Sequence, residues 1–471
     1  MTDRLLTRTA ELADAYLGSL DTRPVGRPAD IDALRAAIGG PLPEGPADPL
    51  AVVEALAAGA EPGIVASAGP RYFGFVIGGS LPAALAADWL TSAWDQNGGL
   101  FLSSPAASVI EEAAAGWARE LLGLPAGAAI GFATGATMAN LAGLAAGRHA
   151  VLARAGWDVE ADGLAGAPPI RVIVGAEAHA SLLSALRLVG LGSGPGVVRA
   201  AADGQGAMRA DAFEAVLDAG PADGPTIVCA QAGNVNTGAS DPFPAIVEAA
   251  HRRGAWVHVD GAFGLWAATS PRLRPQVAGV EMADSWATDA HKWLNVPYDC
   301  GIVGVADPAA LVSAMSQTAA YLVTAEGRAR DPFDWVPEAS RRARATPVYA
   351  AIRSLGAAGI RAMVERCCDL ATRMADRLAT GPDVRILNDV VLNQVLVRFD
   401  APGGDPAGGD ARTRAVIAAI QRDGTCWAGG TRWHDLDAMR ISVSGWNTTA
   451  ADIDRSAEAI LRCAREVAVP A

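Results

Sequence analysis

The sequence predicts an α/β protein in which a large domain with a mostly parallel central sheet is followed by a smaller C-terminal α+β domain. Three observations carry this. The chain has 471 residues, too many for one simple core. From about residue 130 to 305, short β-branched runs alternate with longer helical patterns. After Thr346-Pro347 that alternation gives way to a long helix followed by clustered strands.

Taken in order, Ile170 to Val174, Thr226 to Ala230, Trp256 to Val259 and Gly301 to Val305 are apolar runs of strand length. Between them, Ala180 to Leu191 places Leu182, Leu183, Leu186 and Val189 at helical spacing, and Pro244 to Arg253 has proline in its first turn and stops before Gly254. Strand, helix, strand implies parallel pairing, and such sheets bind ligands at the carboxyl ends of their strands. The second domain should hold a helix to about Thr380, strands near Val384 to Leu387 and Val391 to Phe399, and an exposed loop from Ala401 to Asp410. Helix Arg412 to Arg422, strand Met439 to Val443 and helix Ala451 to Val467 would complete it. Residues 1 to about 70 hold helices between Pro/Gly-rich linkers, a composition suited to packing on something else. The expected divisions are therefore 1–70, 71–346 and 347–471.

Composition narrows the function. Hydrophobic residues make up 51% and charged residues 19%, the profile of a compact globular chain rather than a disordered one. A formal net charge of -13 argues against nucleic acid and anionic membrane surfaces as partners. The N-terminal stretch with Leu5, Leu6, Leu12 and Leu17 is amphipathic and lacks a signal peptide's apolar core, so cytoplasmic residence is expected. Apolar runs elsewhere are far shorter than the ~20 residues of a membrane helix. The six cysteines show no Cys-x-x-Cys spacing and read as reduced, buried thiols.

The chemistry centres on Lys292, the only lysine in the chain. Arginine supplies every other cationic side chain except histidine, so Lys292 alone can become a neutral amine nucleophile, and Trp293 and Leu294 would favour that form by desolvation. The bland alternative is a solvated surface lysine. Thirty-two residues earlier, Trp256 to Ala262 ends an apolar run with Asp260 and two small residues. A carboxylate there either caps a turn or faces a ligand; beside a pyridine nitrogen it would keep that nitrogen protonated.

Phe132 to Asn140 passes from strand to helix through small residues, so Gly135, Ala136 and Thr137 offer amides and a hydroxyl to a phosphate; ordinary capping by Thr134 or Thr137 is the alternative. His179 again follows a strand and precedes a helix, open to stacking on an aromatic cofactor or to capping. No second histidine stands near it at metal-ligand spacing, so no metal is expected. His291 either meets a cofactor or supports the lysine loop.

Asp284-Ser285-Trp286, His291-Lys292-Trp293-Leu294 and Tyr298-Asp299-Cys300-Gly301, together with His258 to Ala262, Thr134 to Leu141, Glu177 to His179 and Gly233 to Gly238, resemble the group II pyridoxal-phosphate decarboxylases. This is the family of aromatic-L-amino-acid, glutamate and tyrosine decarboxylases. The resemblance implies the type I pyridoxal-phosphate-dependent transferase fold, and a homodimer with active sites at the subunit interface and an N-terminal segment wrapped on the partner. It implies pyridoxal 5'-phosphate as cofactor, with Lys292 as the internal aldimine, Asp260 as the pyridinium partner and His179 stacked on the ring. Gly135, Ala136, Thr137, Asp289 and His291 would surround the cofactor, Ala262 would lie under its ring, and Arg455 matches a C-terminal arginine near the site. The implied reaction is decarboxylation of an aromatic or aliphatic L-amino acid to the amine and carbon dioxide. Aldehyde-forming oxidative deamination, another lyase, aldolase or transaminase reaction, and a non-catalytic cofactor-binding protein are the alternatives.

The chain departs from the family pattern at four places. Asp289 stands where many members have asparagine, and Met138 where glutamate is frequent. In the loop after Tyr321-Leu322, running from Glu326 to Trp335, Pro332 or Phe333 takes the neighbourhood of a tyrosine that protonates the carbanion. Asn97 to Phe101 stands where aromatic decarboxylases place a bulky ring from the neighbouring subunit.

Overall fold

The computed structural model describes residues 2–467 other than 27, 195, 222 and 318–329. The chain forms two compact units, one of Gly78–Ala371 with Asn388–Gln394 and the other of Met1–Ile77, Thr372–Leu387 and Val395–Ala471. These divisions differ from those at 70/71 and 346/347. Helix Ala345–Leu378 runs unbroken by any linker past the expected second boundary, interrupted only at Gly356, where φ is +61°.

The larger unit is built on a seven-stranded sheet of β1 (Ala129–Ala133), β2 (Arg171–Gly175), β3 (Val197–Ala200), β4 (Thr226–Gln231), β5 (Trp256–Asp260), β6 (Ser285–Asp289) and β7 (Gly301–Val305). Its spatial order is β1-β7-β6-β5-β4-β2-β3. Strands β3, β2, β4, β5 and β6 pair in parallel, and β7 runs antiparallel to both β6 and β1. The sheet is thus the mostly parallel one that the alternation predicts. Its strands are covered on both faces, with Ile173, Val174, Val228, Val257, Ala287 and Val303 fully buried, which is why they read as continuous apolar runs. Strands β3 and β6 carried no such signal: β3 is only Val-Val-Arg-Ala, and β6 is Ser-Trp-Ala-Thr-Asp.

Register sets the site. Gln231 lies opposite Asp260, and Asp260 opposite Ala287, so β4, β5 and β6 bring their carboxyl ends to one level. Helix Ala136–Arg154 crosses the sheet on small residues. A Cβ on Gly143 would come within 2.8 Å of the His258 ring, and one on Gly147 within 2.7 Å of Trp256. Beneath it runs a buried polar chain: Trp256 Nε1 donates to Ser285 Oγ at 2.9 Å, which lies 2.8 Å from His258 Nδ1, and His258 Nε2 lies 2.8 Å from Asn140 Oδ1. A neutral imidazole protonated on Nε2 satisfies every contact in that chain.

A second buried polar cluster fixes β1. Arg341 donates to both Glu111 oxygens at 3.1 and 2.9 Å, to Phe132 O at 2.6 Å and to Gly98 O at 3.2 Å. Glu111 belongs to helix Pro105–Leu121, so one guanidinium ties that helix and the end of β1 to the 97–101 loop.

The smaller unit holds a four-stranded sheet of β8 (Val384–Ile386), β9 (Gln394–Phe399), β10 (Gly429–Trp433) and β11 (Leu436–Ser442), in the order β10-β11-β9-β8. Helix Ala450–Glu466 begins at a capping box between Thr449 and Asp452. The expected loop from Ala401 to Asp410 is only partly a loop. Helix Pro406–Asp423 starts inside it, because Asp405 accepts from the amides of Ala407 and Gly408 and Pro406 sits in the first turn.

Complete burial pushes the His258 pKa down to about 3. In the unfolded chain the same ring titrates near ~6.5, so between about pH 6.5 and about pH 3 the unfolded state binds a proton that the fold refuses, and stability falls as pH falls through that window. His258→Asn should flatten this acid limb of the unfolding curve, measured by circular dichroism; an unchanged limb would show that His258 does not govern it.

Candidate active site

Asp260 closes β5 and is 3% exposed. Its Oδ1 accepts the Ala262 amide at 3.2 Å, whereas its Oδ2 is buried with no hydrogen-bond partner. Burial raises its pKa, with His179 and Lys292 pulling the other way and Asp289 adding to the rise. A buried acceptor left unpaired is costly, and an N–H donor delivered by a ligand would satisfy it.

Lys292 lies in the turn after β6. Its Nζ is 2.9 Å from Asp289 Oδ2. The Asp289 backbone is clamped, its N–H donating to Ala262 O at 2.9 Å and its carbonyl accepting from Trp266 Nε1 at 3.1 Å. The turn itself is buttressed by Asn295, whose Oδ1 accepts the Gly79 amide at 2.6 Å and whose Nδ2 donates to Trp293 O at 2.8 Å. Gly78 passes so close that a Cβ there would lie 1.9 Å from Lys292 O.

Asp289 also reaches the small-residue turn. Its Oδ1 accepts the Ala136 amide at 2.6 Å, at the first turn of helix Ala136–Arg154. A Cβ on Gly135 would meet His291 Cε1 at 3.3 Å and Asp289 Oδ1 at 3.5 Å, and one on Gly301 would fall 2.4 Å from the Gly135 carbonyl carbon. The close approach of these strands explains glycine at both places. Thr137 is half-buried on the same turn. His291 is buried, accepts the Cys300 amide on Nδ1 at 3.1 Å and stacks on Tyr298 with ring centroids 4.2 Å apart. Burial lowers its pKa, which keeps the ring neutral.

His179 serves the capping role expected of it, and its ring also borders the Asp260 cavity. It caps helix Ala180–Leu188, its Nδ1 accepting the Ser181 amide at 3.2 Å, and it lines a small cavity with Gln231, Gly233, Val235, Asp260, Ala262, Phe263 and Lys292. Residues far apart in sequence therefore meet in one place, with the Ala136 turn linked to it through Asp289. Sequence reasoning missed Gln231 and Phe263, although Gln231 ends β4 directly beside Asp260 and its position after an apolar run was a usable signal. It also missed the chain from Trp256 to Asn140, since such pairings need the fold.

Pro332 and Phe333 are buried in a 3-10 turn rather than standing in an open loop. Asp331 Oδ1 accepts the Phe101 amide at 2.8 Å and Phe333 N–H donates to Gly99 O at 3.0 Å, so this segment is pinned to the 97–101 loop of its own chain. Tyr321, Leu322 and Glu326 to Ala329 lie outside the described residues. Arg455 is exposed on helix Ala450–Glu466 of the smaller unit. All six cysteines are buried thiols outside any disulfide, and no group of metal-ligating side chains occurs among the described residues. No described helix is long and apolar enough to cross a membrane.

These residues fit pyridoxal phosphate: an unpaired buried carboxylate oxygen for a ring nitrogen, a single lysine, and helix amides for a phosphate. The family model for the pyridoxal-dependent decarboxylase conserved domain matches residues 33–400. The chain belongs to that family. This decarboxylase is 27% identical over 400 residues to the aromatic-L-amino-acid decarboxylase of Drosophila lebanonensis, covering 81% of its own chain and 95% of the relative. Its fold matches the crystal structure of Oryza sativa TDC with PLP and tryptamine at a TM-score of 0.91, with 23% identity, 99% of this chain and 98% of that one covered. It matches Rhodiola rosea 4-hydroxyphenylacetaldehyde synthase at 0.86, with 22% identity and coverage of 100% and 98%. The decarboxylase is accordingly a pyridoxal-phosphate-dependent carboxy-lyase acting on an amino acid, and the expected fold type holds.

Gly78→Ala should displace the Lys292 turn, because the clash is with backbone rather than a flexible side chain. A shift of this kind costs on the order of 10²-fold in kcat/KM. Kinetics together with a cofactor titration check it; activity unchanged in a folded variant would contradict the close approach.

Proposed function

We propose that Lys292, Asp260 and His179 carry out the decarboxylation of an aromatic or aliphatic L-amino acid in a homodimer. The observation that carries this reading is the convergence of the sole lysine with a buried aspartate whose Oδ2 has no partner. Lys292 would hold the cofactor through the chain's only lysine amine. Asp260 Oδ2 accepts a hydrogen bond from the ring nitrogen and holds the proton there, while the Ala262 amide keeps Oδ1 in place. Bound there, pyridoxal 5'-phosphate supplies the electron sink for the pair released as carbon dioxide leaves. His179, fixed by its cap on the following helix, presents its ring to the cavity and orients what lies in it. The turn at Gly135, Ala136 and Thr137 receives the phosphate, beside Asp289 Oδ1 which already holds the Ala136 amide, and neutral His291 lines the same turn.

One observation favours a second product. Pro332 and Phe333, which carry no transferable proton, are buried where the resemblance puts a tyrosine. With no such donor among the described residues of this segment, the electron pair would be available to dioxygen, giving aldehyde, ammonia and peroxide in place of amine.

The dimer is supported by apolar side chains left exposed on the N-terminal helices, among them Leu6, Ile31, Ile38, Val52 and Leu56. Helices Ile31–Ile38 and Pro49–Ala60 bury no residue at all. A surface of that kind marks an interface.

Incubation of the holoenzyme with an L-amino-acid panel, scored by mass spectrometry for amine, aldehyde and carbon dioxide, decides reaction and substrate together. Lys292→Ala should abolish turnover and all borohydride-trappable cofactor; trapped cofactor in that variant would refute the lysine's role. Sedimentation should give a dimer, and deletion of residues 1–60 a weaker one; a full-length monomer would refute the proposed assembly.

A further inference from the structure

Asp289 occupies a position that an incoming phosphate contests. It is 2% exposed, it already holds the Ala136 amide through Oδ1, and its Oδ2 carries the ion pair to Lys292. Its backbone cannot retreat, since Ala262 O and Trp266 Nε1 grip it on either side. A buried carboxylate and a phosphate dianion at the same turn repel strongly, and in such a pair one member gives up its charge. Asparagine would have met a phosphate there with an N–H; aspartate matches it only with a proton on one oxygen.

We propose that phosphate binding at the helix turn is coupled to uptake of one proton by Asp289, so that its carboxyl donates to the phosphate and releases Lys292. This rests on the placement of the phosphate at Gly135, Ala136 and Thr137.

The charged and titratable groups facing Asp289 are few. Lys292 pairs with it, His291 Nε2 lies 3.5 Å from Oδ1, and Asp260 on β5 and Cys300 before β7 sense its charge. His179 acts on Asp260 from the helix cap beyond. His291 is held neutral by burial and the Cys300 thiol is pushed well above its ordinary range, so neither takes up the proton near neutral pH. Asp260 is common to phosphorylated and unphosphorylated ligands, and it cancels when the two are compared.

The sign of the linkage follows. The complex holds one more proton than the separated partners, so affinity falls as pH rises, about tenfold per unit at the limit of one full proton.

The test uses pyridoxine 5'-phosphate and pyridoxine, neither of which has an aldehyde to react with Lys292. Calorimetric titration of the full-length protein in buffers of differing ionisation enthalpy counts protons taken up, from about pH 7 to about pH 8.5, where a phosphate monoester is mostly dianionic. Wild-type protein should take up about one proton more with pyridoxine 5'-phosphate than with pyridoxine, with the ratio of the two affinities falling roughly tenfold per pH unit. In Asp289→Asn the extra proton and the slope should both vanish, and phosphate-dependent affinity should rise.

Equal proton counts and parallel slopes in the two proteins would overturn the proposal. Should Asp289→Asn fail to fold, the wild-type difference between the two ligands still decides, because no extra proton means no coupling. If pyridoxine and its phosphate bind wild type equally well, the helix turn is not the phosphate site, and it is the underlying placement that fails.

Discussion

The site depends on keeping two carboxylates, Asp260 and Asp289, buried beside a single lysine. Two unit charges 4 Å apart interact by about 4 kcal/mol at an effective dielectric of about 20, so neither acid can be placed without a compensating group. Asp289 has Lys292 and the Ala136 amide. Asp260 has only one backbone amide on Oδ1, and its second oxygen is left unpaired. That imbalance makes one acid a structural hub and leaves the other open to a ligand's donor. The surrounding framework serves this arrangement, from the clamps on the Asp289 backbone to the Gly78 and Asn295 contacts behind the lysine turn.

The framework is itself polar in unexpected places. His258, two residues before Asp260 on β5, ties the helix behind the Ala136 turn to the sheet through Asn140 and Ser285. Arg341 and Glu111 do the same for β1, whose end leads into that turn. Buried hydrogen bonds of this kind are directional and fix one geometry, even with Asn140 Nδ2 and Arg341 Nε left without a partner, whereas apolar packing alone tolerates small slides. Strand ends and helix start are thus held in register by hydrogen bonds, and the groups proposed for the ring nitrogen and for the phosphate inherit that spacing.

Much of this was legible in the chain. The strands β2, β4, β5 and β7 announced themselves because burial on both faces demands unbroken apolar runs. Lys292 was found because it is the chain's only lysine, and Asp260, His179 and the Gly135 turn because a parallel sheet puts its ligand-facing residues directly after such runs. Strand β6 escaped, since its polar residues pair with other elements that a local pattern does not contain. The helix start at Asp405-Pro406 escaped because a cap and a turn use the same residue types, and only the amide partners distinguish them. Asp289 stood out only as a departure from the family's asparagine until the fold set Lys292 and the Ala136 amide against it. Pro332 and Phe333 looked like loop residues until Asp331 was seen bonded to Phe101. For β6, Asp289 and the Pro332 segment the missing information was a partner distant in sequence; for the Asp405 cap it was the choice among local amides.

The proposed reaction requires Asp260 Oδ2, buried without a partner, to hold a proton on a ring nitrogen. Nitrogen-15 magnetic resonance of the holoenzyme loaded with ring-labelled pyridoxal 5'-phosphate tests it most directly. A protonated nitrogen in the wild-type protein, and an unprotonated one in Asp260→Asn at the same pH, is the predicted result. An unprotonated nitrogen in wild type, or one indifferent to the substitution, would contradict it.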